Sequence, residues 1–474
     1  MDQISEQTSN LQQAKTDFLS RYPDFQHTMK IDDLRQTDYP LLDETKHVYL
    51  DYTGSGLYAR SQLANHHAIL QEHVFGNPHS SNPSSSAMTD MVKQARAYVL
   101  SYFNAASDEY VCIFTSNASG ALKLIGEAYP FTGDSKYLLA FDNHNSVNGI
   151  REYARKKNAA VQYLPVTPPE MRMNEIKLLA ALAEKPVGQS LFAFPAQSNF
   201  SGVQHPLDWI EKAHALGWDV LLDAAAFVPT NKLDLSVVKP DFVALSFYKM
   251  FGYPTGVGAL IARRSALANL NRPWFAGGTI TVASVQGDTY FLREGAEGFE
   301  DGTLNFLMLP AVEMGLRHLQ SIGIDGIHKR VYSLTGWLLD SFSKIKHSNG
   351  NPLIKIYGPT DSHMRGGTIT FNLFDQIGHF IDHVFVEQQA NKMNISLRSG
   401  CFCNPGGGEL ALGLSADELT SCFAVQQRME YDDFRRCIDD KSTGAVRVSV
   451  GLVSNFEDVF TVIEFIRKFV DFAG

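Results

Sequence analysis

Residues 219–263 read DVLLDAAAFVPTNKLDLSVVKPDFVALSFYKMFGYPTGVGALIAR. Three short apolar runs lie in this stretch, DVLLDA, FVALSF and GALIA, separated by polar or glycine-rich turns. Runs that are apolar on both faces suit the central strands of a parallel sheet covered by helices. Two of them end on costly side chains, Asp223 and Lys249. A carboxylate at a buried strand end is expensive unless it meets a cation or several donors. Ligands of open α/β sheets bind at the carboxyl ends of strands, so both residues mark a candidate site.

The same rhythm runs from residue 48 to about 265, through VYLDY, VCIFT, YLLAF, AVQYL and LFAFP, with helical patterns between most of them. Such alternation means βαβ units and predicts an α/β fold with a large, mostly parallel sheet. After about residue 310 the pattern changes to two long helices (311–346), then IKIYG, GTITFNL, a helix from Val384 to Met393, ISLRSG, AVRVSVG and a last helix near 456–470. The expected organisation is an N-terminal arm (1–45, a helix and an extended segment), a large domain (46–310) and a small α+β domain (311–474). SSNPSSS at 80–86 reads as a loop.

The chain has 474 residues, 44% apolar and 19% charged, below the roughly 25% charged of an average soluble chain. Long disordered stretches do not fit that composition. The net charge of −10 disfavours a nucleic-acid groove or an anionic membrane surface. No stretch approaches the roughly 18 apolar residues needed to span a bilayer, and the polar first 20 residues carry no targeting pattern. Five cysteines are too few for a disulfide scaffold at this length, which points to a cytoplasmic location.

Three further motifs match known signatures only in part. Gly54-Ser55-Gly56-Leu57-Tyr58-Ala59 matches G-x-G-x-x-A but lacks an acid at the right strand end for a dinucleotide. Ser246-Phe247-Tyr248-Lys249 matches S-x-x-K, yet it sits at a strand end, and Lys441-Ser442-Thr443-Gly444 only imitates the companion K-T-G. Cys401, Cys403, Cys422 and Cys437 lack C-x-x-C spacing and a histidine in register, so no metal site is assigned.

A consistent constellation does emerge at the strand ends. VCIFT runs into Thr115-Ser116-Asn117-Ala118-Ser119-Gly120, whose free amides at a helix start can cradle a phosphate. YLLAF leads to Asp142-Asn143-His144, placing an imidazole over the crevice. An anion cradle, a ring-stacking group, a strand-end Asp and a strand-end Lys are what pyridoxal 5'-phosphate requires. Lys249 would form the Schiff base, Asp223 would pair with the pyridinium nitrogen, and His144 would stack on the ring. Ser119, the Ala118 amide and Ser246 would hold the phosphate.

With these residues in place, the chain resembles the class V aminotransferase and cysteine desulfurase family of fold type I pyridoxal phosphate enzymes, over nearly its whole length. The resemblance extends to Pro195-Ala196-Gln197-Ser198-Asn199-Phe200-Ser201-Gly202, Gly277-Gly278-Thr279, Phe299-Glu300-Asp301-Gly302-Thr303 and Arg447-Val448-Ser449. Within the family, SNFSG, LLDAAAFVPT and LRSGCFCNPG look like the desulfurase domain of molybdenum cofactor sulfurases. Ala226 and Tyr248 stand where housekeeping desulfurases usually carry Gln and His. The resemblance implies a cofactor-binding set of Ala118, Ser119, His144, Asn199, Asp223, Ala225, Ser246, Tyr248, Lys249 and Thr279. It implies substrate contacts from Asn199, Arg398 and Arg447, and a homodimer in which Thr279 reaches the partner's phosphate.

The resemblance also places the sulfur-accepting thiol at Cys403, making Lys249, Cys403 and His144 the catalytic set. Such a thiolate needs a cationic neighbourhood and a mobile tether, which Arg398 and Gly406-Gly407-Gly408 are expected to supply. Cys401 is either a resolving or relay thiol or a structural one. The implied activity removes sulfur from L-cysteine as a Cys403 persulfide, releases alanine, and passes the sulfur to an acceptor protein or cofactor. The sulfurases resembled usually continue into a second domain that receives the sulfur, so the expectation is either a separate acceptor protein or an enzyme that serves another product. Rival readings are an aminotransferase, β-lyase or epimerase on the same fold, or a catalytically idle scaffold.

Overall fold

The computed structural model describes residues 2–78, 80–184, 186–424 and 444–472. Its centre is a seven-stranded sheet in the order Tyr110–Thr115, Gly258–Arg263, Phe242–Ser246, Asp219–Asp223, Leu191–Pro195, Lys136–Ala140, Ala160–Leu164. Within it Gly258–Arg263 runs antiparallel to both neighbours, and the remaining pairings are parallel. The class is therefore α/β with a mixed, mostly parallel sheet. Every residue of the Leu191–Pro195 and Phe242–Ser246 strands is buried, as the uninterrupted apolar runs require.

The Ala118–Ala128 helix starts at the end of the Tyr110–Thr115 strand because the Asn117 side chain accepts the Gly120 N–H at 2.9 Å, satisfying one of the free amides of its first turn. Gly258 passes close by. A Cβ there would lie 2.5 Å from the Asn117 carbonyl carbon, so the strand next to the helix start needs glycine. A second, antiparallel sheet joins Ile354–Tyr357, Thr368–Phe374, Ala445–Ser449 and Arg398–Gly400, with Phe380–Ile381 beside Thr368–Phe374. The Ile324–Lys344 and His383–Lys392 helices pack on it.

Three local expectations are corrected. VYLDY does not join the central sheet: Val48–Tyr49 pairs in parallel with Ile395–Ser396. Its onward backbone is taken up by the small sheet, Ser449 N–H donating to the Leu50 carbonyl at 2.7 Å. Residues 1–45 are not partly extended. They form the Asp2–Arg21, Lys30–Asp38 and Leu41–Glu44 helices with a 3₁₀ turn at Pro23–Thr28. The reason is packing: Phe18 meets Phe25, Trp337 and Phe456 at ring separations of 4.8, 5.7 and 4.8 Å, and Arg35 pairs with Asp458. In SSNPSSS, Asn82 caps and Pro83 opens the Pro83–Tyr102 helix, so the serines form its first turn.

Among the described residues no helix is long and apolar enough to cross a membrane. Cys437 and residues 441–443 of the K-T-G-like stretch lie outside the described residues.

Candidate functional site

A cavity of about 200 Å³ opens at the carboxyl ends of the central strands. Ala118, Ser119, His144, Asn199, Asp223, Ala225, Ser246, Tyr248 and Lys249 all line it, together with Ser146, Gln197 and Ala226. Asp223 ends its strand 9% exposed, with Oδ1 accepting the Ala225 N–H at 3.0 Å. Lys249 has no hydrogen bond or ion pair among the described residues. Burial pushes its ammonium below the ordinary value of 10.5, Asp223 opposes that, and Arg447 and Arg398 reinforce it. An unpaired, deprotonation-prone amine beside a strand-end carboxylate is suited to covalent chemistry with a carbonyl.

Burial also lowers the His144 pKa. Its Nδ1 accepts the Ser146 N–H at 3.1 Å, so the neutral ring carries its hydrogen on Nε2. At the helix start Ser246 Oγ accepts the Ala118 N–H at 3.1 Å, and the Ser119 and Ser146 hydroxyls bond at 2.6 Å. Because Asn117 is the cap, the Ser119 hydroxyl is left to face the cavity. The donors fit a phosphorylated cofactor bearing an aldehyde: hydroxyls and helix amides at one end, a carboxylate and a lone amine at the other.

The sequence reading missed Asp51. Its Oδ1 accepts from Arg447 Nη2 at 2.9 Å, and its Oδ2 accepts from Arg398 Nε and Nη2 at 2.9 and 2.7 Å. The available signal was an acid at the end of VYLDY, passed over because that run was assigned to the wrong sheet. Arg447 is buried, and desolvation brings its pKa down to about 10 despite Asp51. The set-aside Gly54-x-Gly56 motif also has its cause here. A Cβ on Gly54 would lie 2.4 Å from Asp51 Oδ2, and one on Gly56 would lie 2.9 Å from the Lys249 carbonyl. Both glycines let the segment press against the site.

The Cys403 loop is pinned rather than tethered. Phe402 and Cys403 both have left-handed backbones, at φ 56° and 54°. Asn145 N–H donates to the Cys403 carbonyl at 2.7 Å, and the Phe402 ring lies 4.5 Å from the Arg447 guanidinium carbon. The buried Asn404 amide donates to the Asp142 carbonyl at 2.7 Å. Gly406, Gly407 and Gly408 are buried in the Pro405–Leu412 helix, so the expected mobile glycine tether is absent. Close packing explains them: a Cβ on Gly406 would lie 2.0 Å from the Phe141 carbonyl oxygen. Cys403 is exposed and is close enough to perturb both Lys249 and Tyr248 electrostatically. Burial pushes the Cys401 thiol up to about 11.

Thr279 lies elsewhere. It is fully buried, its hydroxyl bonded to the Ala276 backbone, beside a hairpin of Ile280–Ser284 and Thr289–Leu292. Glu300 of the FE-x-GT turn accepts from Arg96 at 2.6 Å and from the Phe114 N–H at 2.8 Å, anchoring the first strand of the sheet. Cys422 is disulfide-bonded, which departs from the expectation of a reducing location drawn from the cysteine count; Cys401 and Cys403 are in no disulfide. Among the described residues no group of three or more His, Cys, Asp or Glu side chains is placed to hold a metal.

The family model for class-V aminotransferases matches residues 48–462, spanning both sheets and every cavity residue above. The chain belongs to the class-V aminotransferase family. Molybdenum cofactor sulfurases are similar members: 38% identity with that of Solanum lycopersicum, over 97% of this chain and 60% of the relative. With that of Bos taurus the identity is 39%, over 92% of this chain and 51% of the relative. The chain thus spans between half and two thirds of these curated relatives' length. In fold, this member of the class-V aminotransferase family is similar to a cysteine desulfurase from Thermococcus onnurineus NA1, with TM-score 0.75 and 22% identity over 92% of this chain and 97% of that one.

Proposed function

We propose that this class-V aminotransferase-family protein is a pyridoxal phosphate-dependent cysteine desulfurase that takes sulfur from L-cysteine onto Cys403 and releases alanine. The observation that carries the reading is the exposed Cys403 thiol on a loop that the cavity residue Asn199 pins from both flanks. The sulfurase names of the relatives and the desulfurase fold neighbour support it.

Asp223, Lys249 and the Ala118–Ser119 helix start would hold pyridoxal phosphate, which when bound supplies the electron sink that acidifies the substrate Cα–H. Arg447, with Asn199 behind it, binds the substrate carboxylate. Lys249, its amine biased toward the neutral form, moves the Cα proton. The Cys403 thiolate attacks the substrate sulfur. One S–S bond forms, the substrate C–S bond breaks, and the carbon fragment takes up a proton to leave as alanine.

The same reading includes a cytoplasmic homodimer and a sulfur-acceptor protein or cofactor. Support for the dimer comes from the exposed Trp274, Phe275, Val282, Val285 and Phe291 on and beside the hairpin near Thr279, an apolar surface suited to a second copy. The deciding experiment incubates the holoenzyme with L-cysteine and quantifies alanine, pyruvate and protein persulfide by mass. Alanine with persulfide on Cys403 is expected. Pyruvate with free sulfide, or a keto acid with no persulfide, overturns the proposal in favour of a lyase or an aminotransferase.

A further inference from the structure

We propose that Asp51 sets the charge of the carboxylate-binding end and so selects substrates with one carboxylate over those bearing a second anionic group. The proposal rests on the desulfurase reading and deepens it by naming a specificity-determining residue. Asp51 is 8% exposed, and both its oxygens are committed: Oδ1 to Arg447, Oδ2 twice to Arg398. Two guanidiniums and one carboxylate leave a single uncompensated positive charge. Among the described residues neither arginine has another acidic partner.

The arrangement is built in. Gly54 has no Cβ because one would collide with Asp51 Oδ2 at 2.4 Å and Arg398 Nη2 at 2.7 Å. Asp51 itself is locked in sequence register by an isolated parallel bridge to Ser449. On the other side, Arg447 Nη1 donates to the Asn199 carbonyl at 3.0 Å, Phe402 covers one guanidinium face, and the buried Nε has no partner. Nε is therefore the one Arg447 nitrogen without a protein partner, while Asp51 and the Asn199 carbonyl hold the other two. A monoanionic carboxylate neutralises the remaining charge. A second anionic group, such as a β-carboxylate or sulfinate, enters without a cation to match it. Replacing Asp51 by Asn changes the charge by one unit in the same shape, whatever the rest of the site contributes.

The test compares binding of L-alanine, with one carboxylate, and L-aspartate, with two, to the folded holoenzyme by calorimetry. Wild type should prefer L-alanine. Asp51→Asn should shift the ratio toward L-aspartate by roughly tenfold, the scale of one unit charge acting over several ångström in a partly screened site. Arg398→Gln, at a half-exposed side chain, should move the ratio the opposite way by a similar factor, and it serves if Asp51→Asn does not fold. Loss of a merely structural contact would weaken both ligands equally, so an unchanged ratio overturns the proposal. Failure of wild type to make alanine from L-cysteine would instead refute the desulfurase reading, and the binding ratio remains readable in that case.

Discussion

Asn199 donates its side-chain amide to the Phe402 carbonyl at 2.7 Å, and its Oδ1 accepts from Asn404 at 2.9 Å. One side chain at the cofactor cavity thereby holds both flanks of Cys403. The loop that would carry sulfur is positioned by the group expected to sense substrate, so its geometry and the substrate site are mechanically joined.

Asn199→Ala removes both bonds and leaves buried partners unsatisfied, which costs about 1–3 kcal/mol. Urea unfolding should register that loss. Alanine release per bound cofactor should fall further than cofactor occupancy does, because the displaced thiol rather than the ring site is affected.

Gly406→Ala separates a packed helix from a free tether. With Phe141 O 2.0 Å from the added methyl, overpacking of about 1–3 kcal/mol is expected, seen as a lower thermal midpoint. A flexible linker would show no change.

Iodoacetamide should label the exposed Cys403 quickly and Cys401 slowly at pH 8. The contrast follows from Cys401 being partly covered and pushed up to about 11 by burial, so little of it is thiolate. Peptide mass mapping against time reads the two rates. Equal labelling would contradict the positions given for these thiols.

Cofactor uptake by the apoprotein should accelerate as pH rises, because the neutral Lys249 amine is the reactive form. Burial favours that form, so the half-maximal pH should fall below the ordinary 10.5. Stopped-flow absorbance after adding pyridoxal phosphate measures it, and borohydride should fix the cofactor to wild type but not to Lys249→Ala.

Much of the site was legible because strand-end chemistry announces itself locally. Asp223 and Lys249 close apolar runs, and a helix start must bring free amides. Asp51 was not legible by the same logic, since its role depends on Arg398 and Arg447, hundreds of residues away and on another sheet. The glycines at 406–408 misled in the other direction. Glycine runs read alike whether they serve motion or close approach, and only the position of Phe141 distinguishes them. Thr279 rests inside its own chain, where sequence has no means to show which partner takes its hydroxyl.

The pairing of Val48–Tyr49 with Ile395–Ser396 has a bearing on biosynthesis. A nascent chain that has emerged through Arg263 contains every strand of the central sheet and the lysine and carboxylate of the cofactor end. Asp51, made early, must still wait for Arg398 and then Arg447 before its charge is matched. Cofactor capture can therefore precede assembly of the substrate end, and a truncation before the last small-sheet strand should give a protein that holds the cofactor without a place for the amino acid.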